Sequence, residues 1–164
     1  MSEEPFEIVL CHVCEKPLFK RYERRTEIVN PYHKVTIMTY NKFEYGWEDV
    51  YAYLCEDCYL KFNDLIKEVS NELGRLANIY DFEAICHEEM IMWSLESLYN
   101  FVRNREISKP KREGHIYVPH KWIHGIEIHV MTELGFIKVV LPYMTLLNEL
   151  KLRIRKKIGK NEGL

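Results

Sequence analysis

The hydrophobic and polar positions change period several times along the chain. Between residues 27 and 54 they alternate with period two, placing Val35, Ile37 and Thr39 on one face and Thr36, Met38 and Tyr40 on the other. Val50, Ala52 and Leu54 then alternate with Tyr51 and Tyr53. Successive side chains of a strand point to opposite faces, so the pattern predicts two strands joined between residues 41 and 49, around Gly46. Upstream, Phe6, Ile8, Val9 and Leu10 predict a strand entering a tight turn at Cys11-His-Val-Cys14. After Cys55-Glu-Asp-Cys58 the period becomes helical, with Phe62, Leu65, Ile66, Val69, Leu73 and Leu76 marking one side. A second helix is expected from about Phe82, with Asp81 as its N-cap and Ile91, Leu95, Leu98 and Val102 along one face.

Residues 103 to 113 are polar and basic and contain Pro110, which marks the expected boundary between a first unit at 1–104 and a second at 105–164. Beyond it, residues 115–118 and 126–131 alternate like strands, with residues 119–125 as the turn between them. Residues 133–141 add a third strand. Pro142 suits the start of a final helix with Leu146, Leu147, Leu150 and Ile154 on one side.

Composition narrows the class. The chain has 164 residues, 47% of them hydrophobic. A chain of this size buries roughly 68–70% of its unfolded surface, which excludes disorder as the default and removes any need for disulfides. No apolar run approaches the roughly 20 residues of a membrane span, and residues 1–5 lack the basic-then-apolar layout of a signal peptide. The expectation is a soluble, cytoplasmic protein without a membrane partner.

The formal net charge of −2 conceals an asymmetry. Residues 1–100 hold ten Lys/Arg against nineteen Asp/Glu, whereas residues 101–164 hold thirteen against six. Such a split fits a basic contact surface on an acidic scaffold, or two halves that attract and pack on each other.

Four of the five cysteines form two Cys-x-x-Cys pairs, Cys11/Cys14 and Cys55/Cys58, separated by forty residues. A two-residue spacer lets each pair grip one ion from a tight turn, and zinc takes four thiolates tetrahedrally at about 2.3 Å. Iron accepts the same sulfur set, so spacing alone leaves a rubredoxin-like site open. With four protein ligands the ion has no vacant position for substrate or water, so structural Zn2+ is expected and no catalytic residue is assigned. Cys86 and His87 are neighbours on the expected second helix, where side chains diverge by about 100°, and read as a core thiol beside a polar residue. His12 reads as an exposed spacer within the first pair. His115, His120, His124 and His129 read as a half-exposed polar strand face.

A cysteine turn, a β-hairpin and a second cysteine pair at the first turn of a helix resemble the treble-clef zinc fingers over residues 8–78. That resemblance implies zinc binding and leaves function open, because treble clefs serve nucleic-acid binding, protein docking and nuclease activity alike. One branch, the HNH-type nucleases, carries a catalytic His on the hairpin; His33 stands near that position without an adjoining His or Asp.

The segment from Gly114 to Val130, with Tyr117-Val-Pro119-His-Lys121-Trp-Ile-His-Gly125, resembles the strand and proline turn of AbrB/MazE-type proteins. Its nearest likeness is to short archaeal, transposon-associated members. His120 and His124-Gly125 stand here where those members carry Lys and Gly-Lys. The resemblance implies a homodimer through interleaved strands and phosphate contacts from Arg103, Arg105, Lys109, Lys111 and Arg112. The last expected helix adds Lys151, Arg153, Arg155, Lys156 and Lys157, a second run suited to phosphate.

The expected fold is α+β: a treble-clef-like finger with a β-hairpin and two helices, then a small β-segment and a basic C-terminal helix. The expected function is a non-enzymatic, zinc-stabilised nucleic-acid-binding protein, DNA more than RNA, regulating transcription in an archaeon or one of its viruses or mobile elements. A protein-docking adaptor and a metal-dependent nuclease are the alternatives.

Overall fold

The computed structural model describes residues 4–42, 46–74, 78–86, 89–91, 95–104, 115–117, 121–132 and 135–162. It is a mixed α+β structure. Strands β1 (Glu7–Leu10), β2 (Pro17–Arg21) and β3 (Thr26–Ile28) make a small antiparallel sheet in that order. Strands β4 (Tyr32–Lys42) and β5 (Gly46–Cys55) form the expected hairpin, with Gly46 at φ 84°, a conformation that a side chain would strain.

The hairpin departs from strict alternation. Val35 faces Ala52 and Met38 faces Val50, so an irregularity between Thr36 and Met38 puts Val35 and Met38, three residues apart, on one face. The extra residue shifts every position beyond it to the other face, so Val35 and Thr39, expected together, lie on opposite faces.

Helix α1 (Glu56–Leu73) follows directly, burying Cys58, Phe62, Leu65, Val69 and Leu73 along one stripe. Glu56 and Asp57 in its first turn complement the positive end of the helix dipole. Gly74 closes it, its N–H donating to the Ser70 carbonyl at 2.8 Å. Leu76 lies outside the described residues.

The expected helix from Phe82 is corrected. Residues Asn78–Cys86 form strand β6, so Asp81 is no N-cap and Cys86 is no helical residue. Glu89–Ile91 form a short strand β7, and helix α2 begins only at Leu95, running Leu95–Asn104. The cause is non-local: β6 pairs antiparallel with strand β9 (Lys121–Thr132), from Asn78 opposite His129 to Cys86 opposite Trp122. A ready strand edge overrides a local helical period. Lys121 to Gly125, expected within the turn, instead belong to β9, and residues 119 and 120 lie outside the described residues.

Strand β8 (His115–Tyr117) pairs with β7, and β10 (Gly135–Pro142) pairs with β9 along its length before helix α3 (Tyr143–Glu162). Met38 to Tyr40 of β4 pair with Lys121 to Ile123 of β9, so β4, β5, β6, β9 and β10 form one five-stranded sheet. Strands from both sides of the expected 104/105 boundary share this sheet. One cluster of buried residues runs through Leu18, Leu54, Phe62, Leu98, Ile128 and Leu147, so both parts also share a core.

At Gly125 an added Cβ would collide with the Leu141 carbonyl oxygen and lie 2.9 Å from Pro142 Cα. Only glycine lets β9 approach the end of β10 this closely. Among the described residues no helix is long and apolar enough to cross a membrane.

Candidate metal centre

Three local structures deliver the four cysteine sulfurs. Cys11 and Cys14 sit in the turn between β1 and β2, closed by Cys11 N–H donating to the Lys16 carbonyl at 2.8 Å and Glu15 N–H to the Cys11 carbonyl at 2.9 Å. Glu15 takes a left-handed conformation, φ 65°, which lets the chain double back so tightly. Cys55 ends β5 and is also the N-cap of α1, its sulfur accepting from the Cys58 N–H at 3.4 Å. A cap residue is normally Ser, Thr, Asp or Asn; here a sulfur takes that place. His12 N–H donates to the Tyr53 carbonyl at 2.8 Å, tying the first knuckle to the strand that carries the second pair.

All four sulfurs lie within 4.8 Å of one another, and Cys14 Sγ is 3.7 Å from Cys55 Sγ. A tetrahedral tetrathiolate with Zn–S bonds of about 2.3 Å requires S···S edges of about 3.8 Å, so the donor set fits such an ion with little movement. All four cysteines are free thiols; Cys11, Cys55 and Cys58 are buried and Cys14 is exposed.

The electrostatics of the cluster oppose four bare thiolates. Burial pushes the Cys58 thiol far up, reinforced by the neighbouring Cys55 and Cys11, and burial also raises Cys14. Burial acts upward on Cys11 too, but backbone N–H groups of Cys14, Cys55 and Val13 outweigh it and leave that thiol below its ordinary value. A divalent cation at the centre removes this conflict, since it deprotonates coordinating thiols outright. Cys11, Cys14, Cys55 and Cys58 would hold it, and its contribution would be to weld the β1–β3 sheet to the hairpin and α1.

His12 is not the exposed spacer expected from the sequence. It is half-buried, and its Nε2 is buried with no hydrogen-bond partner among the described residues. Burial lowers its pKa, helped by the charge of Lys151 on α3. His33 stacks on Tyr59 of α1, ring centroids 4.0 Å apart and planes 9° apart.

The basic residues divide into two groups. Arg153 bonds Glu68 at 2.9 Å and Glu149 at 3.2 Å, and Arg103 bonds Glu72 at 3.0 Å, so these two cations tie α3 and α2 to the acidic α1. Arg155, Lys156 and Lys157 are exposed and form no ion pair among the described residues, and Lys151 is half-buried. Arg105, Lys109, Lys111 and Arg112 lie outside the described residues, as does His120.

Sequence reasoning missed one polar chain. Thr39 Oγ1 donates to Asp49 Oδ1 at 2.5 Å and lies 2.8 Å from His124 Nε2. A hydroxyl has one proton, and Asp49 takes it, so His124 donates from Nε2. Far from a half-exposed face, His124 is 7% exposed. The partners are 85 residues apart, and no local pattern announces them. His129, two residues beyond Glu127, meets its carboxylate at 2.9 Å.

No protein-family model, no curated protein and no solved structure matches the chain.

Proposed function

We propose that this is a non-enzymatic nucleic-acid-binding protein stabilised by a structural zinc ion, and that it acts as a transcriptional regulator on DNA more than on RNA. The observation that carries the reading is the run Arg155, Lys156 and Lys157 on α3, all exposed and none engaged by a carboxylate among the described residues. Cations without an acidic partner among the described residues are available to phosphates. The tetracysteine cluster supports zinc in the structural role, since four thiolates fill the coordination sphere. On this reading Arg103 and Arg153 position the helices through Glu72, Glu68 and Glu149, and the phosphate contacts fall to residues further along α3 and in the 105–112 segment. The treble-clef and AbrB/MazE resemblances, an archaeal or mobile-element source and a cytoplasmic site of action belong to the same proposal.

The test is fluorescence anisotropy of labelled duplex DNA and RNA across a salt series. Binding should weaken linearly in log K against log salt. Arg155→Gln/Lys156→Gln/Lys157→Gln should make the slope shallower by roughly 2–3, because each neutralised phosphate contributes about 0.9 to it. A slope near zero, or no binding at low salt, refutes the proposal.

One observation favours a docking adaptor as the second reading. Phe6, just before β1, and Ile8 and Leu10 along it expose a stripe of alternating apolar side chains at 70%, 51% and 45%. Ile28 at the end of β3 and Val29 after it are exposed as well. Patches of this kind mark protein contacts. Light scattering that showed a stable dimer, lost on Phe6→Ser/Ile8→Ser, would place a second copy there.

A further inference from the structure

A cavity of about 600 Å³ lies where α1, β4, β9 and the start of α3 meet. It shares no lining residue with the cysteine cluster or the exposed end of α3. Three successive residues of β4, Lys34, Val35 and Thr36, line it. Alternate residues of a strand face opposite ways, so three in a row place the cavity along the strand's edge. β5 occupies the other edge of β4, and among the described residues β9 covers this edge only at Met38 to Tyr40. The cavity therefore begins where β9 leaves β4, beside the irregularity between Thr36 and Met38.

Its side chains have a definite chemistry. Lys34 and Lys67 supply two cations, and among the described lining residues there is no carboxylate. Asn63, Tyr59 and Tyr143 add hydrogen-bonding groups and aromatic faces. His124 forms part of the wall, and its ring is fixed by the Thr39–Asp49 chain. The Lys34 ammonium rests over the Tyr51 ring, 5.1 Å from its centroid, on a flexible stem that can swing to a ligand. Small-molecule sites are typically roughly 300–1,000 Å³, with aromatic walls and a few convergent polar groups.

We propose that this cavity binds a small phosphate-bearing molecule with a planar body, of the nucleoside monophosphate type. Two ammonium groups match a dianion, and lysine is a common point-charge partner of phosphate. The volume exceeds what a bare phosphate fills, and Tyr59, covered by His33 on one face, and Tyr143, edge-to-face with Phe62, give an aromatic wall suited to a flat ring. The inference stands independently of nucleic-acid binding through α3.

Calorimetric titration of the zinc-loaded full chain with adenosine monophosphate, adenosine and inorganic phosphate tests it. Adenosine monophosphate should bind saturably at one per chain and more tightly than either fragment. Lys67→Met, at an exposed helix position, should weaken it about tenfold while leaving Tm and DNA binding unchanged, and Lys34→Met should act alike. The Arg155→Gln/Lys156→Gln/Lys157→Gln variant should bind the nucleotide as the unaltered chain does, which separates a free nucleotide in the cavity from a phosphate held by α3. Three results would each overturn the proposal: no saturable binding up to about 1 mM, affinity unaffected by both lysine substitutions, or loss of affinity in the α3 variant. Binding of inorganic phosphate with exclusion of the nucleotide would overturn the ligand class.

Discussion

Cys14→Ser isolates the contribution of the metal from that of packing. Cys11, Cys55 and Cys58 are 1%, 3% and 2% exposed, so replacing any of them also disturbs the core. Cys14 is exposed, and its sulfur lies 3.7 Å from that of Cys55. Serine removes one thiolate of four, and the remaining three hold zinc far more weakly. Zinc that binds only the folded chain stabilises it by about 4 kcal/mol when free ion stands a thousandfold above its Kd. For a chain of this length each kcal/mol shifts Tm by about 2–4 °C, so the expected loss is about 8–16 °C. The assay is calorimetry with elemental analysis of the same samples, with and without a chelator. The unaltered chain should carry about one zinc and lose that Tm increment on chelation; Cys14→Ser should start at the lower Tm and not respond to chelator. An unchanged zinc content in Cys14→Ser, or a Tm of the unaltered chain indifferent to chelator, would refute a tetrathiolate site that supports the fold.

Other substitutions probe the frame around the site. Gly125→Ala forces a Cβ against the Leu141 carbonyl oxygen and should cost about 1–3 kcal/mol in urea denaturation; a neutral result would mean β9 and β10 do not approach this closely. At Glu15, φ 65°, Glu15→Gly should raise Tm and Glu15→Val should lower it, and the reverse order would contradict a left-handed knuckle residue. Tyr99 is held neutral by burial and then by Glu72 and Glu68, its pKa raised from 10.0 to about 12. Because the folded chain keeps this proton longer than the unfolded one, the associated stability is complete below pH 10 and is lost as pH rises from 10 towards 12. Tyr99→Phe should flatten that alkaline decline in a pH series of denaturation curves; an identical decline in both proteins would rule Tyr99 out as its source.

The legible parts of the fold are those that local sequence dictates. The hairpin of β4 and β5, the helix α1 and the final helix α3 each carry their own period, and Pro142 marks the step from β10 into α3. The stretch from Phe82 onward reads as helix because Ile91, Leu95, Leu98 and Val102 share one face at helical spacing and Asp81 suits an N-cap, yet Asn78–Cys86 and Glu89–Ile91 form strands. What makes strand β6 is the edge of β9, some forty residues on, and a local helical spacing contains no information about a distant edge. The irregularity in β4 is hidden for a similar reason, since both Thr36 and Ile37 fit an alternating pattern until β5 fixes the register.

The spacing of the cysteines alone announces a chelating set: two pairs of thiols, each confined to a tight turn, can grip one ion wherever the chain folds them together. The sequence by itself also determined which segments carry charge. What those charges meet depends on the packed fold. Arg153 reaches Glu68 across 85 residues and Arg103 reaches Glu72 across 31, while Arg155, Lys156 and Lys157, further along the same helix as Arg153, meet no acid among the described residues. The physical reason is that an ion pair, a buried histidine's proton and a cavity at a strand edge all depend on which distant surfaces touch, and contact is a property of the packed chain alone.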